Sequence, residues 1–339
     1  MLHKKPMVSF RKSSKCFALM VGLAAVLAGG ARAQECFSGS EIDALTAKSL
    51  RTASDKYFSM SAQGDVAGLR SNAVPELAAN FGGIEQAVVN NKALFAQEPP
   101  SEPRTFLLDA RGSKTPWPRA DFYCGIYNSP DRVGISIPNL PPGRYAMTTT
   151  HGGGKDPITL TLVLVDAGDN TWKLGGYYAR RNSLGGHDGQ WYMAQAREYK
   201  LKGRGHNAWF YYLTAWDLLA PVDFMSTPAL DKLNDEMQAV RPPDLPSSSA
   251  PLLLTAGGKS FAIAELSALA MNGELYVRAQ YTTPNAANPA AASADNAMVM
   301  QALLAKYPEI REAFGGVVAL ATDGAGHDFG TVTPMKNVK

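Results

Sequence analysis

The chain has 339 residues, 33 of them basic and 30 acidic. Six of the basic residues and none of the acidic ones fall in the first 33 positions, so the remaining 306 carry 27 against 30, a net charge of about −3. That balance gives nothing to suggest a cationic surface for nucleic acid or anionic lipid, and no nucleic-acid partner is expected. The length suffices for two or three modest domains with real cores.

The first 33 residues read as a signal peptide. Lys4, Lys5, Arg11, Lys12 and Lys15 form a positive leading zone. Phe17 to Ala28 is an apolar run of about 12 residues, shorter than the roughly 20 needed to span a bilayer. Ala31-Arg32-Ala33 then supplies the small-x-small pattern read by a signal peptidase. The mature protein is expected to begin near Gln34, to be periplasmic or secreted, and not to insert in the membrane after cleavage. Lipidation at Cys36 is ruled against by Glu35, where attachment needs a small residue. Cys16 leaves with the leader, so Cys36 and Cys124 remain as an even pair in an oxidising compartment and predict a disulfide. The loop of 88 residues (124 minus 36) is worth about 4–5 kcal/mol in the chain-entropy model. No C-x-x-C pair accompanies it.

Residues 40–96 read as several helices. Ser40 is the expected N-cap, Ile42, Leu45, Leu50, Tyr57 and Phe58 recur near a helical period, and Gly64-Asp65 and Val74-Pro75 interrupt the run. Strands are predicted over 105–109, 121–127, 133–137, 144–150 and 158–165. The last turns at Asp166 to Asn170 into a returning strand, Thr171 to Tyr178, to make a hairpin. Helices followed by a curved antiparallel sheet define an α+β class.

The Gly64-Asp65-x-x-x-Leu69 step, Pro75-Glu76-Leu77 and Phe81-Gly82-Gly83-Ile84 resemble the opening of NTF2-like (cystatin-type cone) domains. The hairpin from Leu160 to Tyr178 is similar to their closing strands. The resemblance covers 34–185, with a longer stretch between Phe106 and Arg144 than a compact member has. It implies a bent sheet wrapped round a long helix with a conical pocket, in a family where some members are enzymes and many only bind.

Within 186–240, Tyr192, Ala196, Tyr199, Gly203, Ala208, Tyr212 and Ala215 fall at the spacings of one tetratricopeptide-like helix pair, followed by a third helix capped by Ser226-Thr227-Pro228. A single unit implies a hairpin docked on its neighbours, because a free-standing stack needs about three. Residues 241–251, rich in Pro and Ser, read as a linker. Beyond it, 252–339 reads as a second small α+β domain. Strands at 261–270 and 275–281 flank the turn Asn272-Gly273, and a loop is expected at 284–293. Helices at 295–306 and 308–314 and a strand at 317–322 follow.

No catalytic motif is complete. His151-Gly152-Gly153-Gly154 resembles an oxyanion-hole stretch, but no G-x-S-x-G elbow accompanies it, and the plainer reading is a turn between strands. Gly257-Gly258-Lys259-Ser260 mimics the end of a phosphate loop, yet Leu253 stands where the leading glycine belongs. No histidine pair has i, i+4 spacing, so no metal is expected, and no cofactor. Eleven aromatics between Trp172 and Trp216 either join the sheet to the helix pair as core or line a groove. In the groove reading, Tyr177, Tyr178, Arg180, Arg181 and His151 are the candidate ligand-binding residues. The leading expectation is a non-catalytic exported protein that binds a small molecule or an envelope protein. The alternative is a small enzyme working in a cone pocket with Asp109, Asp121, Tyr123 and His151. Expressed with its leader in a bacterial host, the protein should give an intact mass beginning near Gln34, and a mass retaining residues 1–33 counts against the leader.

Overall fold

The computed structural model describes residues 34–125, 129–271 and 273–338. The expected leader, the end of the strand expected at 121–127 and the Asn272 half of the expected turn lie outside the described residues.

Near the N-terminus, β1 (Glu35–Ser38) leads through a 3-10 turn at Gly39–Glu41 into α1 (Ala44–Gln63). The Ser40 cap is corrected. Ser40 lies within the 3-10 turn, and the Asp43 carboxylate starts the helix by accepting the N–H of Thr46 at 3.0 Å. Leu50, Ala53, Ser54, Tyr57, Phe58 and Ser61 make its buried stripe. Gly64, at φ 71°, ends it in the left-handed conformation. Then come α2 (Val66–Ser71), α3 (Pro75–Ala79, with Pro in its first turn) and α4 (Gly82–Phe95). Five strands follow: β2 (Arg104–Asp109), β3 (Trp117–Cys124), β4 (Val133–Leu140), β5 (Arg144–Gly152) and β6 (Ile158–Asp166). Next are β7 (Trp172–Arg181), a small hairpin of β8 (Ser183–Leu184) and β9 (His187–Asp188), and the helices α5 (Gly189–Leu201) and α6 (Gly205–Leu219). After them come β10 (Met225–Ser226) and α7 (Pro228–Gln238).

An antiparallel sheet in the order β1-β2-β5-β6-β7 is buried on both faces. Alternation along the strands sends Leu107, Ala146, Leu160, Leu162 and Leu164 to one face, against Leu50, Tyr57 and Phe58 of α1 and Val88 and Phe95 of α4. Phe106, Leu108, Tyr145 and Met147 take the other, against Phe122 and Ile135 of a second sheet in the order β10-β4-β3. Each buried Leu, Val, Ile, Phe or Met among them contributes about 1.5–3 kcal/mol. A register shift at Gly175 lets β7 keep both Leu174 and Tyr177 on the helix face. Cys36 and Cys124, with Cα atoms 5.1 Å apart, form a disulfide that ties β1 of the first sheet to β3 of the second. No helix among the described residues is long and apolar enough to cross a membrane.

The remaining elements are β11 (Leu252–Ala256), β12 (Lys259–Met271), β13 (Glu274–Thr282), α8 (Pro289–Lys306), β14 (Gly316–Thr322) and β15 (Asp328–Pro334). They form a sheet in that strand order, with β13 and β14 parallel across α8. Three expectations are corrected here. Helix α8 begins at Pro289 rather than Asp295, because Asn288 caps it through the N–H of Ala291. The segment after Pro308 is a 3-10 turn, Pro308–Glu312. The Gly257-Gly258 pair, at φ 56° and 72°, turns β11 into β12, which adds a strand before the hairpin. Tyr192, Phe210, Tyr212 and Leu233 share one apolar cluster with Val277, Tyr281, Leu303 and Val317, so the core runs across residues 241–251 without a break.

Those residues are strapped down. Asp244 accepts a hydrogen bond from the Tyr307 hydroxyl at 2.7 Å and lies 2.9 Å from Nε2 of His206, whose Nδ1 faces Glu309 at the same distance.

Asp295, with 1% of its side chain exposed, is hydrogen-bonded by Lys259, Asn285 and Thr283. Burial pushes its carboxyl up and these donors pull it further down, leaving it below the usual range. Its stabilising contribution is therefore complete above the unfolded value of about 3.9 and is lost as pH falls through the lower folded value. Urea unfolding between pH 7 and pH 3 should show a shallower acid loss for Asp295→Asn than for the native chain. Replacing both Cys36 and Cys124 by Ala should lower stability by about 4 kcal/mol under oxidising conditions, an effect that reduction of the native chain reproduces.

Candidate functional site

Strand parity separates the residues singled out in the sequence. Across β5, β6 and β7 the register aligns His151 with Thr159 and Arg180, and Thr149 with Thr161 and Tyr178. Three of the five therefore share one face of the sheet: His151, Tyr178 and Arg180. Nδ1 of His151 is 3.0 Å from the Thr159 hydroxyl, which donates to Oδ1 of Asn182 at 2.8 Å. Arg180 donates to the carbonyl of Ala220, at the end of α6, and to Asp223 at 2.7 Å. Tyr178 packs edge-on against Phe224, their centroids 5.4 Å apart. Tyr177 points the opposite way, into the helix layer, where its hydroxyl donates to Ser61 at 3.0 Å. Burial pushes that hydroxyl up to about 12, so it stays protonated. Arg181, at the strand end, lines a cavity of about 360 Å³ with Asp156, Leu184 and Met271.

The four acid–base candidates do not converge. Asp109 is held by Arg111, whose hydrogen bond depresses its carboxyl, and Asp121 is depressed first by the Ser136 hydroxyl and then by Arg119. Both move away from the near-neutral range a general base needs. Tyr123 is 68% exposed. None of the four lines any of the four cavities described. The glycines after His151 make a turn. A Cβ on Gly152 would stand 2.6 Å from Phe58, and Gly153 has φ 87°. Among the described residues no three His, Cys, Asp or Glu side chains form a group that could hold a metal ion.

The aromatic density resolves into two cores, with Tyr178 outside both. Trp172 and Tyr177 belong to the layer between α1 and the sheet, while Tyr192, Trp209, Phe210, Tyr211 and Tyr212 belong to the layer shared with the C-terminal sheet.

The largest cavity described, about 690 Å³, lies elsewhere, at the edge of the first sheet. Strand β1 ends opposite Phe106, so β2 runs on through Thr105 and Arg104 without a neighbour on that side. In an antiparallel ladder, one of two consecutive residues aims both its N–H and its C=O outward at such an edge. The first turns of α1 form the facing wall. Ile42, Ala47 and Phe106 supply apolar surface, and Lys48, Arg51 and Arg104 supply charge. Arg51 is bonded to Glu102 at 3.0 Å, and the Arg104 guanidinium stands 5.0 Å above the Phe106 ring. The sequence reading missed these residues. Their only signal was the i, i+3 placement of Lys48 and Arg51 on an otherwise buried-stripe helix.

No family model matches the chain, and no curated protein or solved structure matches it.

Arg180 bonds a helix-terminal carbonyl, whereas Arg104 stands at an open mouth. Arg180→Ala should therefore cost about 1–3 kcal/mol in urea unfolding, and Arg104→Ala less than about 1 kcal/mol. Equal losses would count against this division of roles.

Proposed function

We propose that the mature chain is an exported, non-catalytic binding protein. Its first part is an NTF2-like domain, and the α5–α6 pair is a tetratricopeptide-like hairpin docked on it and on the C-terminal sheet. Its ligand is a small molecule held in the cavity between α1 and the free edge of β2. The observation that carries this reading is the cavity itself. About 690 Å³ lies within the range of about 300–1,000 Å³ typical of ligand sites, and its mostly apolar walls carry a few polar groups. The disulfide supports export, since such bonds persist in oxidising compartments. The enzyme alternative draws no support from the dispersed, Arg-neutralised carboxylates. Detergent-free purification followed by native and denaturing mass spectrometry tests the proposal. Extra mass on the native protein that is lost on denaturing is the expected outcome. A bare native mass, with no thermal shift from any member of a small-molecule library, would overturn it.

A further inference from the structure

We infer that the ligand class of this cavity is an amphipathic anion: an apolar body ending in a carboxylate or a phosphate. The inference rests on the cavity reading above and adds the chemistry of the occupant. Three cations line the space, Lys48, Arg51 and Arg104, against two carboxylates, Glu102 and Asp131. Glu102 is taken up by Arg51, and among the described residues neither Lys48 nor Arg104 enters an ion pair. Lys48 and Arg104 then stand against Asp131 alone, which leaves an excess of one positive charge where the walls are otherwise largely apolar. A neutral ligand would leave it uncompensated, and a cationic one would be repelled.

The arrangement also fixes which end of the ligand goes where. Arg104 lies over Phe106, a residue only 2% exposed, so its guanidinium is held beside the apolar wall without a carboxylate of its own. A planar guanidinium presents paired donors that match a carboxylate or phosphate in a bidentate fashion. The free edge of β2 adds a backbone N–H next to the same residue. Ile42, with 7% exposure, and Ala47 on the facing wall offer surface to the ligand's apolar part. Head-group recognition thus draws on Arg104 and the free edge of β2 on one side and on Lys48 of α1 on the other, and Ile42, Ala47 and Phe106 are left to the tail.

Titration calorimetry on the mature protein, with single-chain probes kept below micelle formation, tests this. The probes are dodecanoate, dodecyl phosphate, dodecanol and dodecyltrimethylammonium. The expected result is that at least one anion binds about tenfold more tightly than the alcohol and the cation, and that added salt weakens it. The ratio of the two anions tells carboxylate from phosphate. In Lys48→Gln/Arg104→Gln the tenfold preference for the anion over dodecanol should disappear. Arg104→Lys, which keeps the charge, serves as a second variant that retains part of the preference, and circular dichroism checks the fold of each. If dodecanol binds as tightly as the anions and Ala47→Phe blocks it, the ligand class inferred here is wrong and the cavity reading stands. If no probe binds, or if Ala47→Phe leaves binding as it was, the cavity reading fails and this inference fails with it.

Discussion

Everything in the first half of the molecule answers to β5. Six consecutive residues, Tyr145 to Thr150, are buried, so this strand cannot present either face to water. A strand buried on both sides needs two covers, and the chain supplies one before the strand and one largely beside it. The α1–α4 layer meets the even-numbered residues, and the β10-β4-β3 sheet meets Tyr145 and Met147. Three successive threonines at its end are accommodated by side-chain partners where these exist: Thr150 by Ser54 at 3.1 Å and Thr149 by Thr161 at 3.4 Å. The Thr148 hydroxyl has no partner among the described residues, which carries a cost because a buried polar group without a hydrogen bond is disfavoured. The disulfide matters in this setting, since it fastens the smaller cover to the edge of the sheet it protects.

The sequence showed the α+β class and most of the elements because the local chemistry there is unambiguous. Gly64 followed by Asp65, and Val74 followed by Pro75, end and restart helices for reasons of backbone geometry alone. The Asp166–Asn170 turn, with Gly168 at φ 91° and Asn170 at φ 55°, likewise imposes the hairpin. The misreadings share a cause. Strands β1 and β11 are short, and β15 contains Gly330 and ends in Pro334, so their assignment depends on a neighbour to pair with. The start of α8 was hidden by Pro289 and the alanines around it, which read as loop until Asn288 is seen to cap them. Likewise Ser40 and Asp43 are both sound caps by composition, and only the 3-10 turn decides between them.

The candidate site was far less legible. A run of aromatics catches the eye along the chain, but alternation and helical periodicity divide it between two cores. Tyr177 and Tyr178 are adjacent in sequence and on opposite sides of a sheet. The residues that do surround the largest cavity described come from 38–51, 102–106 and the vicinity of the disulfide, with no spacing between them that chemistry would dictate. Such a site exists only because one strand stops two residues before its neighbour does.

The segment 241–251 has the composition of a tether, but Asp244 is hydrogen-bonded to Tyr307 and faces His206, and Leu245 packs on the shared core. Residues 247–251 form its longest unbroken exposed stretch. A protease that cuts there would therefore release nothing. The two fragments would elute together from a sizing column and separate only when the apolar cluster common to both was denatured.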